Sequence, residues 1–222
     1  MNRDMVDQVV EVARRVTVSG AISPNAHGNV SIRVPGSDEI YFTSGPSLRD
    51  HPAEGIVRIG LDGVLREGQL PPIQGAVVNM HTAMYEDHAE VNCVIHTHSP
   101  YATAYAVAQQ PIGCWVEALA MFGLFDGVPV AAYGPRGSKE AITNIRAAIV
   151  PGVPAVLLAN HGVLVFHRNP DLAIMVGSVI EEAAQAGINA VGLGGVVPIS
   201  DAMKEAALQR AVMLEQRGTT SA

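Results

Sequence analysis

Residues 91–104 read Val-Asn-Cys-Val-Ile-His-Thr-His-Ser-Pro-Tyr-Ala-Thr-Ala. The β-branched, apolar first part predicts a buried strand over 91–96, and the Ala-rich continuation from Pro100 to Ala108 predicts a helix. His96 and His98 stand where the strand ends. Because alternate residues of a strand point to the same face, the two imidazoles can converge on one point.

On either side of this stretch, helical segments are mixed with short hairpins. Strands joined by tight turns, such as Asp62-Gly63, argue against a purely parallel sheet and indicate an α/β domain with a mixed or antiparallel sheet under helices. No linker or repeat divides the chain, so residues 1–222 are expected to form a single domain. Helices are predicted over 4–18, 74–88, 170–191 and 200–217, and strands over 29–33, 39–43, 56–59, 64–65, 153–158 and 163–167.

The composition excludes several classes of protein. The 222 residues carry 14 Lys+Arg against 21 Asp+Glu, a net charge of −7, and 48% are hydrophobic. This apolar content excludes a disordered chain, and the absence of a basic patch argues against nucleic-acid binding. The sequence contains no uninterrupted apolar run of about 20 residues, so no membrane span is predicted. Cys93 and Cys114 form no disulfide framework, which fits a cytoplasmic protein.

A third histidine can join the first two. His161 lies in Asn160-His161-Gly162, a turn between two predicted strands, where a bend can aim its ring at the end of the sheet. Three imidazoles with an open position are a common catalytic site for Zn²⁺ or a neighbouring divalent ion. The alternative is that these are separate polar residues at strand ends.

The stretch from His96 to Ala104 resembles the signature of the class II aldolase/adducin-domain family. Further landmarks follow in the family's order over about residues 5 to 190: Gly28–Arg33, Thr43-Ser44-Gly45, His81 followed by Tyr85, and Asn160-His161-Gly162. The resemblance implies a three-layer α/β/α sandwich around a mixed, mostly antiparallel central sheet.

The resemblance also implies a metal site. Its ligands would be His96, His98 and His161, and its cofactor one divalent ion, Zn²⁺ or Mn²⁺, with Co²⁺ as a further option. Family members usually form homotetramers with this site at a subunit interface, so a homo-oligomer is expected.

One departure from the family concerns the acid. Sugar-phosphate aldolases of the family place a Ser-Ser-Glu or Ser-Glu motif four residues before the helix histidine. Here Val77 stands four residues before His81, preceded by Gly75 and Ala76. Valine cannot transfer a proton, and Gly and Ala offer a phosphate no side-chain donor. Residues 68–80 contain no Ser, Thr, Asp or Glu, so a shifted alignment restores nothing. The segment 204–217 also lacks the tyrosine that some aldolases use there.

Two residues are candidates for proton transfer. Glu117 is an acid in the otherwise apolar run 114–120, near where some aldolases of the family carry a tyrosine proton donor. Burial would raise its pKa and suit it to proton transfer near neutral pH. The alternative is a solvent-facing glutamate on a short helix. His81 is the second candidate.

Substrate contacts are expected from five positions. Asn29, Ser44 and Gly45 match positions that touch the anionic end of the substrate in the family. Arg49 and Arg136 could bind a carboxylate through a bidentate guanidinium, although a single arginine is more often a solvated surface residue.

These observations favour a metal-dependent lyase. The leading hypothesis is a decarboxylase of a hydroxylated aromatic (or pyridine) dicarboxylate or related keto acid, with a small carboxylate as substrate. The second is an aldolase or epimerase for an unphosphorylated sugar or hydroxy-keto acid. The third is a non-catalytic adducin-like interaction domain, although such domains typically lose the metal histidines.

Overall fold

The computed structural model describes the backbone of residues 1–219 and the side chains of residues 1–213. Within it, one eight-stranded sheet has the order β4-β3-β2-β1-β5-β8-β7-β6. Neighbouring strands are antiparallel except for the parallel pair β6–β7, so the sheet is mixed and mostly antiparallel, as predicted. The strands are β1 (Gly28–Arg33), β2 (Glu39–Thr43), β3 (Ile56–Gly60), β4 (Leu65–Glu67), β5 (Cys93–Thr97), β6 (Val130–Ala131), β7 (Ala155–Leu158) and β8 (Gly162–His167).

Helices cover both faces of this sheet. They are α1 (Arg3–Val18), α2 (Pro72–Asp87), α3 (Pro100–Ala108), α4 (Glu117–Met121), α5 (Lys139–Ala148), α6 (Pro170–Ala190) and α7 (Asp201–Thr219). Apolar residues of α1, α3, α4, α6 and α7 pack in one core, and those of α2 and α5 pack in a second. The two cores lie on opposite sides of the sheet, which confirms the three-layer sandwich. None of the described helices has the length and apolar character to cross a membrane.

The alternation of side chains along β5 assigns the histidines to one layer. Cys93 and Ile95 pack in the first core, whereas Val94 packs in the second, against α2. Since alternate residues share a face, His96 follows Val94 onto the face that α2 covers.

Two elements were not predicted, namely α5 and β6, whereas α4 is the short helix that was given only as an alternative for Glu117. Helix α5 does carry ordinary signals, because the Ser138 side chain accepts a hydrogen bond from the Ala141 amide and Glu140 lies in the first turn. It is short and follows a Gly- and Pro-rich loop. Strand β6 has only two residues, and its pairing with β7 is a long-range contact that local periodicity does not encode.

Helix α3, which follows His98 almost directly, is held at its start by a buried acid. Glu181 of α6 accepts hydrogen bonds from the backbone amides of Tyr101 and Ala102, both at 2.8 Å. The first amides of a helix lack partners within the helix, and its dipole favours a negative charge there. Burial raises the pKa of Glu181, whereas these two amide contacts lower it. The Glu181 carboxylate therefore holds the start of α3, the helix that leads away from His98.

Replacing this acid tests its contribution to stability. Glu181→Gln keeps the shape but places an amide NH₂ against a backbone donor, so the free energy of unfolding should fall by about 1–3 kcal/mol. Urea denaturation measures this change. Glu182→Gln alters the exposed neighbour on the same helix and should leave stability nearly unchanged; equal effects of the two substitutions would contradict the assignment.

Candidate metal centre

The structure brings the three predicted ligands together. His96 lies in β5, His98 just after it, and His161 in the turn between β7 and β8. One ring nitrogen of each lies within 4.8 Å of the other two, and the ring centroids are 4.7, 4.9 and 5.0 Å apart. Such a group of imidazole nitrogens could hold one metal ion.

The hydrogen bond of His96 indicates that its free nitrogen is ready for a cation. Nδ1 lies 2.9 Å from the carbonyl oxygen of Val163, so Nδ1 carries the proton and donates it. Nε2 is buried and has no hydrogen-bond partner within the described structure. A buried, unpartnered acceptor is costly unless a ligand satisfies it, and a divalent ion would do so. A histidine fixed through its other nitrogen is typical of metal sites.

Burial and mutual proximity keep these rings neutral. The pKa of His96 lies well below its usual value because of burial first, and then because of His161 and His98. Burial, with His98 and Arg136, lowers the pKa of His161 to about 4. Burial also lowers the pKa of His98. Metal binding requires the neutral imidazole, so this environment suits ligation.

Two glycines permit the strands to meet at the histidines. A Cβ at Gly28 would lie 2.4 Å from the carbonyl oxygen of His96, and one at Gly162 would lie 2.5 Å from that of Thr97. Asn160 adopts a left-handed conformation with φ of 58°, which Asn tolerates better than most residues. The early and late sequence motifs therefore reflect close backbone approach around one site.

His81 takes part in a buried hydrogen-bond network instead of reaching an open site. Its Nε2 lies 2.8 Å from Oδ1 of Asn29, and its Nδ1 lies 2.8 Å from Oγ of Ser31. The Tyr85 hydroxyl donates to the Ser31 carbonyl, also at 2.8 Å. Burial lowers the pKa of His81 to about 3. With both nitrogens engaged and the ring neutral, this geometry disfavours the predicted proton-transfer role and favours positioning of Asn29, which pairs with His96 across β1 and β5.

Glu117 does not lie beside the histidines of its own chain. It is exposed at the start of α4, which packs with α6 and α7 on the other face of the sheet from His96. The solvent-facing alternative therefore describes Glu117 in the single chain. The reason is that the apolar run around it supplies Leu119 and Ala120 to the first core, whereas Glu117 points away from it.

The predicted substrate contacts differ in burial and in whether the chain already occupies their hydrogen-bond donors. Asn29 and Ser44 are buried. The backbone amide of Gly45 donates to Nε2 of His51 at 3.1 Å, so it is already occupied. Arg49 is exposed and donates to the Pro24 carbonyl at 2.8 Å.

Arg136 is the predicted arginine that the structure brings to the centre. It lies in the loop between β6 and α5, with Nη2 3.4 Å from Nε2 of His161. His27 also approaches, with its ring edge-on to His98 at 5.8 Å between centroids. His27 precedes β1 in an irregular loop, so no periodicity in the sequence places it there.

A small cavity of about 40 Å³ adjoins the centre, between α2 and α5. His161, Arg136 and Val77 contribute to its lining. No acidic side chain lines it in the described part of the chain. We refer to it as the apolar notch, and its side chains are chiefly Ala76, Val77, Met80, Ile142, Ile145 and Leu158.

A family model described as the class II aldolase and adducin N-terminal domain matches residues 7–188. The chain belongs to the class II aldolase and adducin family. A 5-methylthioribulose-1-phosphate/5-deoxyribulose-1-phosphate aldolase of Rhodospirillum rubrum is 30% identical over 177 residues, covering 80% of this chain and 77% of the relative. A 5-deoxy-D-ribulose 1-phosphate aldolase of Bacillus thuringiensis is 31% identical over 183 residues, with 81% and 82% covered.

The fold of this class II aldolase family member is also found among solved structures. The chain is similar to an L-fuculose 1-phosphate aldolase with a TM-score of 0.81 and 25% identity. The similarity covers 95% of this chain and 97% of that one. The similarity in fold thus extends beyond residues 7–188, which the family model matches.

Removing one ligand should weaken metal binding. We expect the purified protein to bind one divalent ion per chain, and His98→Ala to reduce the affinity at least about tenfold, because two imidazoles remain where three converged. Elemental analysis and calorimetric titration measure stoichiometry and affinity. His88→Ala, at a histidine stacked on Phe166 away from the centre, is the control. Unchanged metal content in His98→Ala would contradict the site.

The buried neutral His81 predicts a pH-dependent stability. Its pKa is about 3 in the folded protein against an ordinary value of 6.5, so only the unfolded chain takes up a proton as the pH falls below 6.5. Its contribution to stability is fully present above pH 6.5 and is lost progressively toward pH 3. Between pH 6.5 and 5 the loss is about 2 kcal/mol. Denaturation of metal-free protein should show a shallower pH dependence for His81→Gln than for the wild type; parallel curves would contradict the assignment.

Proposed function

We propose that this protein is a metal-dependent carbon–carbon lyase, a decarboxylase of a hydroxylated aromatic (or pyridine) dicarboxylate or a related keto acid. The observation that carries the proposal is the apolar notch. Beside the three histidines, where sugar-phosphate aldolases of the family have an acid, the described lining offers Val77 and no carboxylate.

The two reactions place different demands on this position. Aldol cleavage needs a base that removes a proton from a hydroxyl before the carbon–carbon bond breaks. Decarboxylation begins from a carboxylate that is already ionised, and it needs an acceptor for the electron pair and later a proton on carbon. A site without a base beside its metal therefore suits loss of CO₂ better than loss of an aldehyde.

The histidines supply the first requirement. His96, His98 and His161 would hold Zn²⁺ or Mn²⁺, with Co²⁺ as a further option. When bound, the ion would act as a Lewis acid that polarises a hydroxyl or carbonyl oxygen of the substrate. The hydrogen bond from His96 to Val163 holds the ring in the tautomer that leaves Nε2 free.

Arg136 is the proposed contact for the carboxylate of the substrate that is not lost. Its guanidinium lies at the centre, at 3.4 Å from His161, and can bind the carboxylate that remains on the product. Asn29 and Ser44 would contact other oxygens of the substrate. Gly45 and Arg49 are less suited, because the chain itself occupies their donors.

Glu117 is the proposed proton donor to carbon. Because it is exposed on the opposite layer, it would reach the histidines only from a second copy of the chain. We accordingly propose a homo-oligomer, with a tetramer favoured and the site at a subunit interface. We also propose a cytoplasmic location, since Cys93 and Cys114 are both free and buried.

Release of CO₂ tests the proposed activity. Metal-loaded protein should release CO₂ from at least one member of a panel of hydroxylated benzene and pyridine dicarboxylates. The release should stop on chelation, return with metal, and be lost in His98→Ala. Manometric or coupled CO₂ detection provides the measurement. Absence of turnover across the panel by metal-replete protein would overturn the proposal.

The two arginines provide a second, matched test. Arg136→Gln should raise KM for the active dicarboxylate roughly 10- to 100-fold with a smaller effect on kcat, since a charge-assisted contact to the bound carboxylate is lost. Arg49→Gln should leave KM within about twofold. Steady-state kinetics compares them, and an equal rise for both variants would show that Arg136 does not bind the carboxylate.

An aldolase is the second candidate function. It is favoured by the names of the relatives, which act on phosphorylated deoxyribuloses, and the same chemistry could act on an unphosphorylated sugar or hydroxy-keto acid, or support an epimerase. Gly75, Ala76 and Val77 argue against a phosphate and a base at the family's positions. Aldehyde release from 5-deoxyribulose 1-phosphate and from hydroxy-keto acids, without CO₂, would favour this function. A purely interacting adducin-like domain is disfavoured because the three histidines converge.

A further inference from the structure

The size and position of the apolar notch bear on the substrate that can bind there. It lies between α2 and α5 near the ends of β6 and β7, and its volume is about 40 Å³. A water-sized sphere fills roughly 10–15 Å³. The enclosed part of the notch therefore has room for a methyl or ethyl group.

The chemistry of the lining selects an apolar occupant. Val77 and Met80 of α2 face Ile142 and Ile145 of α5, and these side chains offer no hydrogen bond. A hydroxyl or charged group placed among these four side chains, away from Arg136 and His161, would lose its contacts with water without compensation. An alkyl group would gain the free energy of leaving water.

The edge of the notch fixes which substituent can enter it. Arg136 and His161 both line it, with Nη2 and Nε2 3.4 Å apart. Because Arg136 is itself part of the lining, a carboxylate bound by Arg136 would lie beside the notch. The group that enters the notch is then carried by an atom adjacent to that carboxylate.

We infer that the substrate carries a methyl- or ethyl-sized alkyl group next to the carboxylate that Arg136 binds, and that Val77 determines this specificity. The inference rests on the proposed function for the carboxylate itself. It narrows the substrate class to alkyl-substituted hydroxy-aromatic or related carboxylates.

Two adjacent valines offer a matched pair of variants. Val77 and Val78 are both on α2 and both 2% exposed, and both pack in the second core, but only Val77 lines the notch. Their replacement by Ala removes the same two methyl groups and creates a similar cavity. A difference in ligand preference between Val77→Ala and Val78→Ala therefore reports on the notch and not on stability.

Binding can be measured without turnover. The probes are 2-hydroxybenzoate and its methyl, ethyl and isopropyl derivatives at each ring position, titrated calorimetrically into metal-loaded full-length protein. For the wild type, one methyl or ethyl isomer should bind about fourfold tighter than the parent, as expected for burial of one methyl group. Val77→Ala should move the preference to isopropyl, Val77→Ile should reduce the gain from methyl, and Val78→Ala should keep the wild-type order.

The inference is overturned if no alkyl isomer binds more tightly than the parent, or if both alanine variants change the order alike. This outcome is separate from failure of the proposed function. If no CO₂ is released but Val77 variants alone change an alkyl preference, the proposed decarboxylase activity is wrong and the inferred alkyl specificity of the notch is supported. If CO₂ is released but no alkyl preference is found, the decarboxylase activity is supported and the alkyl specificity is wrong.

Discussion

The hydrogen bond between Nδ1 of His96 and the carbonyl oxygen of Val163 joins the two strands on which the centre depends. It couples the orientation of one imidazole to the pairing of β5 with β8, in which His96 lies opposite Leu164. The turn that precedes β8 carries His161, and Gly162 lets the turn approach the backbone of Thr97. A shift of one residue in this pairing would turn His96 to the other face of the sheet. The convergence of the three histidines is therefore a consequence of strand register.

Each of the two helical layers contributes a buried polar residue that supports the elements around this centre. On one face, α2 contributes His81, which is buried with Asn29 and Ser31 and keeps the neighbouring strand β1 in place. On the other, Glu181 of α6 binds the start of α3, the helix that follows His98. Both are buried polar groups with satisfied hydrogen bonds. They support the elements that carry the histidines, and their hydrogen-bonding groups are occupied by partners within the protein.

Much of the fold could be predicted because its strongest signals are local. The strands around residues 29–33, 39–43 and 163–167 have alternating or β-branched patterns, and their hairpin turns are short. The helices α1, α2, α3 and α6 are found near their predicted positions. Helix α5 and strand β6 were missed because they are short and depend on contacts with distant elements.

The candidate site was predictable to a lesser extent. Three histidines could be selected by their motifs, and the structure brings them together. The sequence did not show that His81 is buried and Glu117 exposed, because the burial of a side chain depends on the packing of distant segments. His81 is enclosed by Ser31 and Asn29, whereas the apolar neighbours of Glu117 enter the core and leave its carboxylate outside. Similarly, nothing in the sequence around Gly45 shows that His51 takes its amide.

The sequence alone determined the family, the mixed sheet under helices, the three imidazoles, and the position of Val77 four residues before His81. Each of these is a property of residue type at fixed spacing along the chain. Only the tertiary structure decided that Arg136 and not Arg49 lies at the centre, and that Val77 faces Ile142 and Ile145 across a cavity of about 40 Å³. These features arise where α2, α5 and the ends of β6 and β7 pack together. The packing of such distant segments is not specified by local periodicity.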